Sequence, residues 1–232
     1  MEGQAGTPGS PLAPRDAASR VSTVETMLQL PRLYPILDAA CFPDAAEIFA
    51  AAEEFAAAGV TLLQYRNKSG NARQMLGEAR ELRARLGASV KLIMNDRADL
   101  CLAAQYDGLH VGQDDLLPES ARSIIGSGPA RWLGVSTHNP EQLVEADKTS
   151  ADYLAIGPVF ATTTKANPDP VVGLEGIRRA RELTRKPLVA IGGITRANAR
   201  SVVEAGADAV AVISDLSLDP GKSAEEFLRI LR

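Results

Sequence analysis

The chain has 232 residues, of which 45% are hydrophobic and only 4% aromatic, a size and composition that suit one domain with a core of small and aliphatic side chains. Its 25 basic and 29 acidic residues leave a net charge of −4 with no basic block, which argues against a nucleic-acid partner. No apolar run approaches the roughly 20 residues that a bilayer span needs, and Cys41 and Cys101 form neither a disulfide framework nor a metal-ligand spacing. The opening MEGQAGTPGS lacks the basic and apolar regions of a secretory signal, so the cytoplasm is the expected compartment. Residues 1–30 are expected to form a flexible extension, with a short helix over 23–30 capped by Ser22 or Thr23 and stopped by Pro31.

From Leu33 onward short β-rich runs alternate with helical patterns. Strands are expected at 33–37, 60–66, 90–94, 108–111, 132–136, 153–157, 187–191 and 209–213. Helices are expected near 44–58, 71–86, 97–104, 118–126, 139–148, 174–184, 196–205 and 222–231, with Asp44, Asn71, Asn139 and Thr195 as N-caps. The strands read as continuous apolar runs, as parallel strands covered on both sides do. Eight repeats over residues 31–232 favour a closed (β/α)₈ TIM barrel over an open doubly wound sheet. Such barrels carry their chemistry at the C-terminal strand ends, so the polar residues after each apolar run are the candidates.

After the second strand, alternation places Gln64, Arg66 and Lys68 on one side, a set suited to a multiply charged anion such as diphosphate, though also readable as a solvated strand end. Asn95 and Asp96 follow the third strand, and His110, Gln113, Asp114 and Asp115 end the fourth. Carboxylates from neighbouring strand ends are a common way to hold Mg²⁺, although Asp96 alone also reads as a helix cap. His110 is expected to be a satisfied core histidine, and no His/Cys cluster suggests zinc. Ser136 and His138 follow the fifth strand, and a polar loop over 160–168 offers Thr162, Thr163, Thr164 and Lys165 to phosphate oxygens. Gly192 and Gly193 after the seventh strand, a helix opening at Thr195, and Ser214 after the eighth match the recurrent phosphate site of these barrels. Together these residues describe two anion sites across one barrel mouth, and hence a group transfer with diphosphate as the leaving group.

Gln64-x-Arg66-x-Lys68, Asn95-Asp96-Arg97-x-Asp99, His110 to Asp115, Gly134-Val135-Ser136, Thr162-x-Thr164-Lys165 with Gly173, Ile191 to Ile194 and Ile213-Ser214 stand in the order and spacing of a known family. Over 33–231 the chain resembles the thiamine-phosphate synthases. The resemblance implies a Mg²⁺-dependent transferase joining 4-amino-2-methyl-5-hydroxymethylpyrimidine diphosphate to 4-methyl-5-hydroxyethylthiazole phosphate, with release of diphosphate. It also implies that Gln64, Arg66, Lys68, Asn95, Ser136 and Lys165 bind the pyrimidine diphosphate, with Arg66, Ser136 and Lys165 as catalytic candidates. By the same resemblance Asp96 and Asp115 hold the metal, and Thr162, Thr164, Gly193, Ile213 and Ser214 bind the thiazole phosphate. The family chemistry is dissociative and needs no general base. The sister family of thiazole tautomerases is the nearest alternative, through His138, but its metal and diphosphate residues are eroded where this chain keeps them. A non-catalytic phosphate-binding regulator is a second alternative, and other sugar-phosphate or indole-type barrel chemistry is open by fold alone. Small phosphorylated molecules are the expected partners, oligomeric state is open, and Pro35, Asp38 and the part Asp114 plays beside Asp115 have no assigned role.

Overall fold

The computed structural model describes residue 3 and residues 28–128, 131–162 and 169–232. Eight strands alternate with eight helices in chain order. The strands are β1 (Leu33–Asp38), β2 (Leu62–Arg66), β3 (Lys91–Asn95), β4 (Gly108–Val111), β5 (Trp132–Thr137), β6 (Tyr153–Ile156), β7 (Leu188–Ile191) and β8 (Ala209–Val212). The helices are α1 (Ala45–Ala57), α2 (Ala72–Leu86), α3 (Ala98–Ala103), α4 (Pro118–Ile125), α5 (Pro140–Asp147), α6 (Gly173–Leu183), α7 (Ala199–Glu204) and α8 (Pro220–Ile230). Every strand pairs in parallel with its chain neighbour, and β8 returns to β1, so the sheet closes into the expected barrel.

Period-2 alternation divides the core into two shells. Side chains facing the helices form the larger one, and α1 shows the logic: Ile48, Ala51, Ala52 and Phe55 recur at helical spacing and are all buried. The inner shell is small, built on Tyr34, Ile36, Leu62, Ile93, Tyr153, Ala155, Val189, Ala209 and Ala211. Asp44, Asn71 and Asn139 cap their helices as expected, each accepting an N–H three residues on at 3.1, 3.0 and 2.8 Å.

Thr195 does not cap α7. The Asn198 side chain accepts the Thr195 N–H at 2.8 Å, a turn runs from Thr195 to Asn198, and the helix starts at Ala199. The local side-chain turn outcompetes the helix there. Residues 28–30 are not helical, and the rest of the expected 23–30 helix lies outside the described residues, as does all but residue 3 of the proposed extension before it.

At the N-terminal end of the barrel one device recurs three times. Asp107, Asp152 and Asp208 each precede an even strand and accept the N–H of Leu92, Leu133 or Leu188 on the preceding odd strand, at 2.9, 2.7 and 2.8 Å. Each carboxylate also takes an arginine from the helix before, namely Arg83, Arg122 or Arg181. These brackets fasten helix to strand pair at the end opposite the strand C-termini, and sequence reasoning did not single them out. Among the described residues no helix is long and apolar enough to cross a membrane.

Candidate active site

The C-terminal strand ends open on a cavity of about 460 Å³. Its basic wall follows from how β2 is held. On the outer face Tyr65 donates its hydroxyl to Glu78 of α2, and Asn67 Nδ2 donates to the same carboxylate at 3.1 Å. With those two pinned outward, alternation turns Gln64, Arg66 and Lys68 into the cavity. Arg66 is ion-paired with Asp38, which is buried at the end of β1 and also accepts the Ala40 N–H at 3.1 Å.

The neighbouring wall is acidic. Asp96 has left-handed backbone, φ +60°, a conformation that Asp tolerates better than most residues. It does not cap α3: the N-cap position is Arg97, without a capping side chain, and the Asp96 carboxylate turns to the cavity instead. There its Oδ2 accepts from Asn95 Nδ2 at 2.6 Å and pairs with Lys68. Asp115 faces Asp96 closely enough to share a hydrogen bond, and its own Oδ2 accepts the Gly112 N–H at 2.8 Å. Burial, and then the Asp115 carboxyl, push the Asp96 pKa up to about 6 against the pull of Lys68. Asp114 is exposed at the rim.

Two facing carboxylates with their charge held close together fit a small hard cation that keeps other positions for water and phosphate oxygens, the habit of Mg²⁺. Among the described residues no group of three or more His, Cys, Asp and Glu forms an all-protein metal cage.

The opposite wall comes from β7 and β8. Gly193 has φ +65°, and a Cβ there would lie 2.5 Å from the Ala161 carbonyl oxygen, so only glycine lets the two loops touch. Asp215 ties the two loops together, accepting from Arg196 N at 2.8 Å and from its Nε and Nη2 at 3.1 Å each. Because α7 starts only at Ala199 and has six residues, its N-terminus does not stand at this loop as expected.

The floor is a chain of buried polar groups. Gln64 Nε2 donates to the Tyr34 hydroxyl at 2.9 Å, and the Tyr34 and Tyr153 hydroxyls are 3.0 Å apart. His110 lies between Tyr153, at 3.1 Å from Nδ1, and Ser136 Oγ, at 2.8 Å from Nε2. His110 is therefore the satisfied core histidine expected, and burial lowers its pKa to about 4. His138 sits at the rim, where Nδ1 donates to the Gly157 carbonyl at 2.7 Å and approaches Asp169 at 3.5 Å.

A family model described as thiamine monophosphate synthase matches residues 33–216. The chain belongs to this family. A thiamine-phosphate synthase from Koribacter versatilis is 61% identical over 207 residues, covering 88% of this chain and 97% of the relative. One from Chloroflexus aurantiacus is 47% identical, covering 75% and 80%. A solved thiamine phosphate pyrophosphorylase from Pyrococcus furiosus superposes with a TM-score of 0.75 at 35% identity, covering 86% of this chain and 95% of that one.

In this member of the thiamine monophosphate synthase family, Gln64, Arg66, Lys68, Asn95, Asp96, Asp115, Ser136, Thr162, Gly193, Ile213 and Ser214 all line the same cavity. Thr164 and Lys165 lie outside the described residues. Sequence reasoning left Asp38 without a role and did not connect Gln113, whose Nε2 donates to the Ser136 carbonyl at 2.6 Å. Asp38 stands at a strand end like the others, so the same positional rule applied to β1 points to it.

Proposed function

We propose that this thiamine-phosphate synthase joins its pyrimidine diphosphate and thiazole phosphate across the barrel mouth, with Mg²⁺ held by Asp96 and Asp115. The observation that carries the reading is convergence: the basic strand end of β2, the two facing carboxylates and the Gly193–Ser214 loops meet in one cavity of about 460 Å³. Arg66, Lys68 and Asn95 take the diphosphate, and Gln64 and Ser136 orient the pyrimidine end. Gly193, Ile213, Ser214 and Thr162 receive the thiazole phosphate. Thr164 and Lys165 complete the two sets on the strength of sequence position alone.

The carbon–oxygen bond of the pyrimidine methylene breaks first, and its electron pair leaves with the diphosphate. The thiazole ring nitrogen then donates its lone pair to the methylene carbon. When bound, Mg²⁺ supplies charge that assists departure of the diphosphate. Arg66 and Lys68 neutralise the rest of that charge, and the cavity fixes the nucleophile opposite the leaving group. No proton has to be abstracted, which agrees with a floor histidine that stays neutral at ordinary pH.

The test incubates the protein with both substrates and Mg²⁺ and follows thiamine phosphate by its fluorescence after oxidation. Product that disappears with EDTA and with Asp96→Ala supports the metal assignment. No product from folded protein with Mg²⁺ refutes the reading.

A further inference from the structure

The chain of buried hydrogen bonds under the cavity connects two residues that the proposed function places on the pyrimidine substrate, through three that line the floor or lie beneath it. Gln64 comes from β2, Tyr34 from β1, Tyr153 from β6, His110 from β4 and Ser136 from β5. Tyr34 and Tyr153 are fully buried, at 1% and 0% exposure, and their rings meet edge to face at 6.1 Å. Space for them is made on β5: a Cβ at Gly134 would lie 2.1 Å from Tyr153 Cζ and 2.4 Å from His110 Nδ1.

The chain has a direction. Each tyrosine has one proton to give, and a buried hydroxyl without an acceptor is costly. Gln64 Nε2 already donates to Tyr34, so the Tyr34 proton goes to Tyr153, its other partner. Tyr153 then gives its proton to His110 Nδ1, and the neutral ring carries its hydrogen on Nε2 and donates it to Ser136 Oγ. With Gln64 Nε2 on Tyr34, the reverse direction leaves the Tyr34 hydroxyl proton with no acceptor; it requires the Gln64 amide turned over so that Oε1 accepts.

We propose that Tyr34, Tyr153 and His110 are positioning residues whose one-way hydrogen-bond chain presents Gln64 through its carbonyl oxygen, as acceptor, and Ser136 through its hydroxyl proton, as donor, to the pyrimidine substrate. The proposal rests on the assignment of Gln64 and Ser136 to that substrate. It adds that their polarity is set by side chains that never touch the substrate.

The chain has two histidines, so protein labelled with ¹⁵N-histidine gives a spectrum in which His110 is assigned with one variant, His138→Gln. The expected result is a neutral His110 with hydrogen on Nε2, and a second tautomer appearing in Tyr153→Phe. Hydrogen on Nδ1 in the unaltered protein overturns the proposal. This reading needs no turnover, so it fails or stands apart from the substrate assignment. A kinetic cycle then pairs Tyr153→Phe with Ser136→Ala. Tyr153→Phe, and equally Tyr34→Phe, is expected to lower kcat/KM for the pyrimidine diphosphate about 10- to 100-fold, while KM for the thiazole phosphate stays within about twofold. In the Ser136→Ala background the Tyr153→Phe loss is expected to shrink to little or nothing. Full additivity, or equal damage to both substrates, refutes the coupling.

Discussion

Asp38 and Arg66 are register partners across β1 and β2, and their side chains meet at the C-terminal ends of those strands. The Arg66 side chain is one-quarter exposed and lines the cavity while that of Asp38 is buried, so Asp38 holds Arg66 from below. Asp38→Asn keeps the shape and removes the charge. The expected result is a rise of about tenfold in KM for the pyrimidine diphosphate, equivalent to about 1.4 kcal/mol, read from steady-state kinetics. An unchanged KM would show that Arg66 needs no such support.

Asp96 makes the metal-free protein pH-sensitive in a defined direction. Its pKa is raised from 3.8 to about 6, so the fold favours the protonated carboxyl. That stability is fully present below the unfolded value and is lost as pH rises through about 6. Without Mg²⁺, Asp96→Asn is therefore expected to melt higher than the parent at about pH 8 and equally at about pH 3.5. Calorimetry at both values checks it. Mg²⁺ affinity is expected to fall as pH drops below about 6, with proton release on binding.

Gly193→Ala places a side chain on left-handed backbone and against the Ala161 carbonyl. The other close atoms, Phe160 Cβ at 2.8 Å and Phe160 C at 2.9 Å, are not flexible side-chain ends either, so the loops must part. A loss of about 1–3 kcal/mol in urea denaturation is expected, with a higher KM for the thiazole phosphate. A variant that keeps both stability and KM would remove this loop from the phosphate reading.

The Asp152 bracket predicts the opposite pattern, lost stability with kinetics intact. Asp152→Ala takes the carboxylate from Arg122, which keeps its carbonyl acceptors, and leaves the Leu133 N–H without its partner, at a cost of about 1–3 kcal/mol. Thermal melting and kcat together separate the two effects. Its counterpart Asp107 adds acid lability. Burial raises the Asp107 pKa, but the Leu92 N–H and Arg83 outweigh it and hold the carboxyl below 3.8. Stability from that bracket is present above the unfolded value and is lost as pH falls through the lower folded one.

The alternation of apolar runs and helical periods determined the eight βα repeats by itself, because both periodicities are local properties of the chain, and their number favoured the closed barrel over an open sheet. It also placed Gln64, Arg66 and Lys68 together on one side of the second strand, since the strand period leaves only two faces; that this side is the cavity is decided in the fold, where Tyr65 and Asn67 bind Glu78 on the other. The motif residues of the cavity were legible for a related reason: strand ends are where this topology exposes polar groups. The start of α7 was not, because Thr195 and Asn198 are both caps by composition, and in the fold the Asn198 side chain caps nothing but turns back to accept the Thr195 N–H. Nor were the Asp38–Arg66 pair, the three Arg–Asp brackets or the chain from Gln64 to Ser136. Each joins residues distant in sequence but adjacent once the strands close, as with Tyr34 and Tyr153, 119 positions apart. Local pattern tells which side chains share a face. Which partners they meet there is decided by barrel closure and register, which no single segment carries.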